Sequence, residues 1–411
     1  VESPVSIVLA KHVLLVFGII LAVGTCFGVV ARKLRVPDVV VFLIAGVLLG
    51  PGVAGLVDIR VDSTLNQLIL IFGACYILFD GGASLRLKVL KEVWITIVVL
   101  ATLGVVVTAA ITSVAAWYFL GIPFISALLL ASVIASTDPA TLVPVFRQVK
   151  IRDRVAQTVM AESAFNDATG AIATFAVLGI AMGHGDFSVA QSLLDLVKQA
   201  GFGLVVGGAL GYLVAFLIGH AKYGFLQEYA PVVTLMAVIA AYLGSDGLQA
   251  SGFMAVFVFG IVIGNQDAFG FDMLPGEQGK MQDFVATTAL IMRMFIFILL
   301  GTQVDFGLMS QYAVAGSAVV AVFMLVARPV TVFVCALPDR RVKWTMSELL
   351  FMCWTRETGV IPGALAGLLM GMQVPQAKVI ASVTFIAILV TILIQATTTR
   401  ALARKLSLLE E

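Results

Sequence analysis

Thirteen apolar runs, each of about 17–28 residues, divide this chain and leave it little choice of environment. A run of that length crosses the hydrocarbon core of a bilayer as one helix. In lipid every backbone N–H and C=O must find a partner within the protein, which helices provide. The runs fall at about 5–31, 38–56, 63–82, 93–118, 124–146, 155–182, 193–219, 229–245, 250–266, 282–303, 310–336, 348–371 and 378–399. The expected fold class is therefore an all-α polytopic membrane protein with about 13 transmembrane helices. Composition agrees, with 61% hydrophobic and 12% charged residues, where a soluble domain carries about 25% charged. The segment from Val5 has no basic leader and is too long for a removable signal, so it is expected to be the first span.

Charge fixes the expected orientation. With the N-terminus outside, 18 Lys and Arg residues fall in the inner segments and four in the outer ones. That asymmetry predicts a C-terminus in the cytoplasm. Net charge is only +1 and gives no reason to expect nucleic acid as a partner. Cys26, Cys75, Cys335 and Cys353 lie in apolar runs without metal or redox spacing and read as small apolar fillers. His12, His184 and His220 are scattered near span ends, so a metal site or proton relay among them is not expected.

The sixth run carries Glu162-Ser163-Ala164-Phe165-Asn166-Asp167 at bilayer depth, where ionisable groups are costly and tend to be functional. On a helix Glu162 stacks on Asn166 and Ser163 on Asp167, so all four share one arc. The fifth run carries Ser136-Thr137-Asp138-Pro139, and Pro139 breaks its helix and frees backbone carbonyls beside Asp138. The twelfth run is interrupted in the same way at Arg356-Glu357-Thr358-Gly359, before Pro362. Each broken span is the fifth of a set of six. The expected domains are a first six-helix repeat (1–192), a linker helix (193–228) and an inverted second repeat (229–411). Paired interruptions in inverted halves point to a binding site where broken helices 5 and 12 cross.

These markers resemble the cation/proton antiporter-1 family. Ala135–Phe146 resembles its unwound fifth helix, and Glu162–Asp167 resembles its Asn-Asp helix. Arg293–Gly301, Ala327-Arg328-Pro329 and Gly359-Val360-Ile361-Pro362 match further markers, in order, over nearly the whole chain. The resemblance implies the inverted-repeat sodium/proton antiporter fold of the NhaP type, a homodimer, and electroneutral exchange. One position departs from the family pattern. Thr358 stands where members carry an arginine directly before the glycine, and Arg356 lies two residues earlier, followed by Glu357.

The expected function is secondary active exchange of a monovalent alkali cation (Na+, with Li+ or K+ as alternatives) for H+. The expected cation ligands are the Asp167 and Asp138 carboxylates, the Ser163 hydroxyl and the Thr137 carbonyl, because alkali cations favour hard oxygen donors. Asp138 has a second reading, as the cap of the half-helix opened by Pro139. Glu162, Asn166, Arg328 and Arg293 form the expected supporting network. Arg328 pairs with Glu162 and this pair fixes Asn166, while Arg293 neutralises the dipole ends of the broken helices. Asp80 reads as an interface anchor and Asp246 as the mark of a loop. No cofactor is expected beyond the transported cation and proton. The partners are those ions, the bilayer and, by resemblance, a second copy. A cation channel lacks the single titratable site between repeats. An intramembrane aspartyl protease needs a Gly-x-Gly-Asp signature that is absent.

Overall fold

The computed structural model describes residues 4–34, 36–60, 63–182, 189–219 and 224–409, so Arg35, His184, His220 and Lys222 lie outside the described residues. Among the described residues nine helices are long and apolar enough to cross a membrane. Four shorter apolar helices, Asp38–Leu49, Phe124–Ala135, Gly252–Gly264 and Val360–Gly371, stand where the second, fifth, ninth and twelfth runs were expected. No strand occurs among them; a single antiparallel bridge joins Ile151 to Leu409.

Packing sorts the helices into two groups. Pro4–Leu34, Asp38–Leu49, Thr64–Ala83, Val189–Gly219, Ala230–Gly247, Gly252–Gly264 and Pro275–Thr302 pack on one another as a panel. Leu87–Ala101, Leu103–Leu120, Phe124–Ala135, Asp153–Ala181, Phe306–Val322, Arg328–Cys335, Val360–Gly371 and Ala377–Val390 form a bundle. The two meet where Asp153–Ala181 packs on Val189–Gly219 and Gly252–Gly264, and where Thr64–Ala83 packs on Pro139–Gln148. This grouping cuts across the order of the chain: each set of six expected spans contributes three to the panel and three to the bundle.

Local chemistry explains the breaks. The fourth span is two helices, Leu87–Ala101 and Leu103–Leu120, not one. They meet at Thr102, whose hydroxyl donates to the Val98 carbonyl at 2.7 Å, a back-bond that bends helices. The second span ends at Leu49 because Gly50-Pro51-Gly52 follows. The eleventh widens into a π-turn at Phe323–Ala327, just before Pro329, which has no N–H to continue the ladder. A second π-turn, Thr391–Ala396, interrupts the last span.

Within the panel, Asp38–Leu49 crosses Pro275–Thr302 at two glycines. A Cβ on Gly46 would collide with the backbone of Ile298 and Gly301, and one on Gly301 with that of Leu43 and Gly46. Such small-residue contacts let membrane helices approach closely where no hydrophobic drive separates protein from lipid. Gly46→Leu is expected to force these backbones apart at a cost of at least about 1–3 kcal/mol. Its purified protein should unfold several degrees below the parent in a thermal-denaturation assay; an unchanged midpoint would contradict the crossing.

Candidate cation site

The fifth span is two half-helices, Phe124–Ala135 and Pro139–Gln148, joined by the unwound residues 136–138. The twelfth is Met346–Trp354 and Val360–Gly371, joined by extended residues 355–359. The start of Met346–Trp354 is anchored by a capping box between Thr345 and Glu348, and Glu348 is held in turn by Arg154 and Arg152. All eight residues from Ser136 to Asp138 and from Thr355 to Gly359 are buried.

The two unwound segments touch. The Asp138 N–H donates to the Glu357 carbonyl at 2.9 Å. The Val360 N–H, at the first turn of the second half-helix, donates to Asp138 Oδ2 at 2.8 Å, and the Thr141 hydroxyl donates to the same oxygen at 3.2 Å. Asp138 therefore does cap a half-helix, but its carboxylate sits at the N-terminus of the one in span 12, where a negative charge opposes the helix dipole. Gly359 makes this possible: any Cβ there would occupy the place of the Asp138 carboxylate.

Two arginines hold the opposite ends. Arg356, fully buried, donates through Nη2 to the carbonyl of Ala135, the last residue of half-helix Phe124–Ala135, and its guanidinium lies 5.2 Å from the Phe323 ring centroid. Arg328 donates from Nε to the Met352 carbonyl at 2.8 Å and from Nη2 to the Thr355 carbonyl at 3.4 Å, at the end of Met346–Trp354. Its two Nη atoms also grip Glu162, Nη1 on Oε1 at 2.5 Å and Nη2 on Oε2 at 2.9 Å. The expected Glu162–Arg328 pair is thus present and bidentate.

Two parts of the expected network are corrected. Asn166 is fixed by Thr137, not by the Glu162–Arg328 pair. Its Oδ1 accepts from the Thr137 N–H at 3.0 Å and its Nδ2 donates to Thr137 Oγ1 at 2.8 Å. Thr137 Oγ1 in turn donates to Ser163 Oγ at 2.9 Å, so Ser163 and Asn166, three residues apart on one helix face, clamp the unwound segment. Arg293 does not reach the broken helices. It lies in the panel, 3.4 Å from Asp38 at the start of Asp38–Leu49. The dipole role expected of Arg293 falls to Arg356, which is near in space because span 12 crosses span 5.

Asp167 is 2% exposed, and neither carboxylate oxygen has a hydrogen-bonding partner. The Ser136 hydroxyl lies beside it but short of hydrogen-bond geometry, and Asp138 is the neighbouring acid. A Cβ on Gly170 would strike Ser136, so the helix of Asp167 lies directly against the unwound segment. Asp167 lines a cavity of about 360 Å3 that continues past Ala171 and Phe175 to Gln67, Gln199, Tyr242 and Asp246. Asp246, expected only to mark a loop, shares the cavity with Asp167. Asp80 lines a separate cavity with Asp267, Asp272 and Asp283. Buried carboxylates ordinarily carry donors or a counter-charge. Asp167 has neither, in a cavity between panel and bundle, and this is the arrangement of a membrane carrier for cations.

Comparison with known proteins agrees. Residues 18–405 match the family described as sodium/hydrogen exchanger, transmembrane, and the chain belongs to that family. It is 32% identical over 360 residues to Na(+)/H(+) antiporter 1 of Methanocaldococcus jannaschii, covering 85% of this chain and 81% of that protein. It is 28% identical over 408 residues to the K(+)/H(+) antiporter NhaP of Alkalimonas amylolytica, covering 96% and 67%. The structure of the sodium proton antiporter MjNhaP1 from M. jannaschii at pH 8 superposes with a TM-score of 0.79 at 29% identity, over 96% of this chain and 99% of that one.

The Glu162–Arg328 pair makes a sharp prediction. Replacing Arg328 by Met leaves a buried carboxylate unpaired and should cost about 3–5 kcal/mol, whereas the double variant Glu162→Gln/Arg328→Met should recover much of that loss. Stability of the single and double variants in detergent measures the coupling, and purely additive losses would argue against it.

Proposed function

We propose that this protein exchanges an alkali cation for a proton by alternating access, with both competing for Asp167. The observation that carries this reading is the buried carboxylate without a donor, at the crossing of two broken helices and open to a cavity. A bare carboxylate at depth is tolerable only when a proton or a cation neutralises it. The cation takes oxygens from Asp167 and, after modest rearrangement, from Asp138, Ser163 and the Thr137 carbonyl. Ser163 Oγ accepts from the Thr137 hydroxyl and keeps a second lone pair for the cation. Only the loaded site crosses the apolar barrier between panel and bundle at low cost.

Sodium is the substrate we favour, from the M. jannaschii relatives, and potassium is the alternative carried by the Alkalimonas relative. The loop charges support an outer N-terminus and a cytoplasmic C-terminus. In that orientation the Asp167 cavity opens outward, and Asp246 stands along the entry path. A homodimer completes the proposal, as the resemblance implies.

Exchange is expected to be electroneutral. Asn166 occupies the place of a second acid on the helix and has no proton to release. Glu162 is neutralised by Arg328. Asp138 accepts from two donors at the positive end of a half-helix, which holds it as a carboxylate throughout. One cation then replaces one proton. In sealed liposomes Asp167→Asn should fold yet show no cation-dependent proton flux across sodium, potassium and lithium. For the parent protein, an imposed membrane potential should leave the initial rate unchanged. Substantial exchange by Asp167→Asn would remove Asp167 from the mechanism, and a potential-dependent rate would require a second titrating acid.

A further inference from the structure

The ends of spans 1 and 13 flank a cavity of about 590 Å3 that the exchange reading leaves without a role. Two arginines line it from separate helices. Arg32 lies in the last turn of Pro4–Leu34, in the panel. Arg400 lies in Thr397–Lys405, which continues the bundle helix Ala377–Val390 past its π-turn. Both residues are exposed, and among the described residues neither has an ion-pair or hydrogen-bond partner.

The acid that lines this cavity is already neutralised. Asp38, in the first turn of Asp38–Leu49, accepts the Val39 N–H at Oδ1 at 2.9 Å, and its Oδ2 lies 3.4 Å from Arg293. The two arginines therefore give the cavity a net positive rim. Each arginine alone fits the positive-inside pattern, and Arg32 also opposes the dipole at its helix end. Neither account explains why the two share one cavity with an apolar floor. That floor is Gly28, Phe42, Leu290 and Met294, with Thr25 and Thr397 along its sides. Along span 1 it runs on to Leu21, which is exposed one turn beyond Thr25 on the same face.

A positive rim over an apolar floor, at the ends of two spans, is the chemistry of a phospholipid headgroup site. Headgroup phosphates lie at the level of span ends, and anionic lipids give the cytoplasmic leaflet its negative surface. Arginine grips phosphate oxygens in pairs, with a planar fork that lysine lacks. The floor receives the glycerol backbone and the first methylenes, and the chains run out along span 1. We infer that the cavity binds the headgroup of an anionic phospholipid, its phosphate held between Arg32 of the panel and Arg400 of the bundle. Such a lipid ties panel to bundle at a place that shares no lining residue with the Asp167 cavity. The inference stands apart from the exchange reading; only the choice of leaflet rests on the proposed orientation.

Thermal unfolding of the purified protein in detergent tests this, with phosphatidylglycerol, phosphatidylcholine or inorganic phosphate added. Phosphatidylglycerol should raise the midpoint by at least about 2 °C over phosphatidylcholine, and inorganic phosphate should not. Arg32→Gln and Arg400→Gln should each lose at least about half of that rise, because the bridge needs both forks. Lys33→Gln/Arg404→Gln removes positive charge from neighbouring positions that do not line the cavity, and should keep the rise. Gly28→Leu fills the floor and leaves both arginines in place. A Cβ there meets the Phe42 ring at 3.7 Å, an ordinary contact, so this variant should fold and still lose the rise. A rise lost equally in Lys33→Gln/Arg404→Gln would mean diffuse attraction to a basic face, and one reproduced by inorganic phosphate would mean a soluble anion. Either result overturns the inference, as would an equal rise from phosphatidylcholine or a full rise in Arg32→Gln, Arg400→Gln or Gly28→Leu. None of these outcomes bears on Asp167, whose test is exchange by Asp167→Asn.

Discussion

The structure around the site depends on how four half-helix ends, opened inside a membrane, are satisfied. Breaking two transmembrane helices at mid-depth leaves N–H and C=O groups with no water to meet them. The protein satisfies them crosswise. Asp138 of span 5 accepts from Val360 of span 12, and Arg356 of span 12 donates to Ala135 of span 5. Arg328, from span 11, holds the remaining C-terminal end through Met352 and Thr355. Three of the four half-helix termini are thus matched by a side chain of opposite sign, which is the favourable sense of the helix dipole. The two broken spans thus hold each other through Asp138 and Arg356, with Arg328 of span 11 at the third end.

These bonds also shape the site. Thr137 is held from three directions, by Asn166 through both amide atoms and by Ser163 through its hydroxyl. This fixes the unwound chain against Asp153–Ala181 and places Ser136 and Asp138 near Asp167. Every other charged group at the crossing save Glu357 has a partner or a helix end. Asp167 is left without a hydrogen-bond partner and lines the cavity, which is why we propose it as the place where proton and cation compete. An acid with a resident arginine would bind neither, since its counter-charge would already be in place.

The panel has a different task. Its close contacts run through small residues, as at Gly46 and Gly301, and at Gly82, Gly260 and Gly264, which lie against the backbone of Phe257, Phe79 and Ala83 where Thr64–Ala83 meets Gly252–Gly264. Backbone packed against backbone offers few soft side chains to adjust, so these helices pack as a stiff unit. The bundle contains the two π-turns and both broken spans, the irregular elements that membrane proteins tolerate where backbone is buried in protein.

Much of this was written in the chain itself. Apolar run length set the helices, Pro139 and Gly359 set the breaks, and two acids inside an apolar run that itself contains no base marked the sixth span. The Glu162–Arg328 pair was also legible, because a buried acid requires a base and Arg328 stood within an apolar span. The partner of Asn166, the place of Arg293 and the roles of Arg356 and Glu357 were not. Asn166 meets Thr137 only once spans 5 and 6 pack, and the surroundings of Arg356 and Glu357 depend on the crossing of spans 5 and 12, a contact between residues more than two hundred positions apart. Arg293 and Arg356 are both isolated cations in apolar runs, and local sequence cannot tell them apart. Packing places one in the panel beside Asp38 and the other at the open end of a helix. Local sequence determines where a helix forms and where it must break, because those choices turn on the chemistry of neighbouring residues. Only the tertiary structure decides which freed backbone groups face which charges, because that is a matter of distance through space.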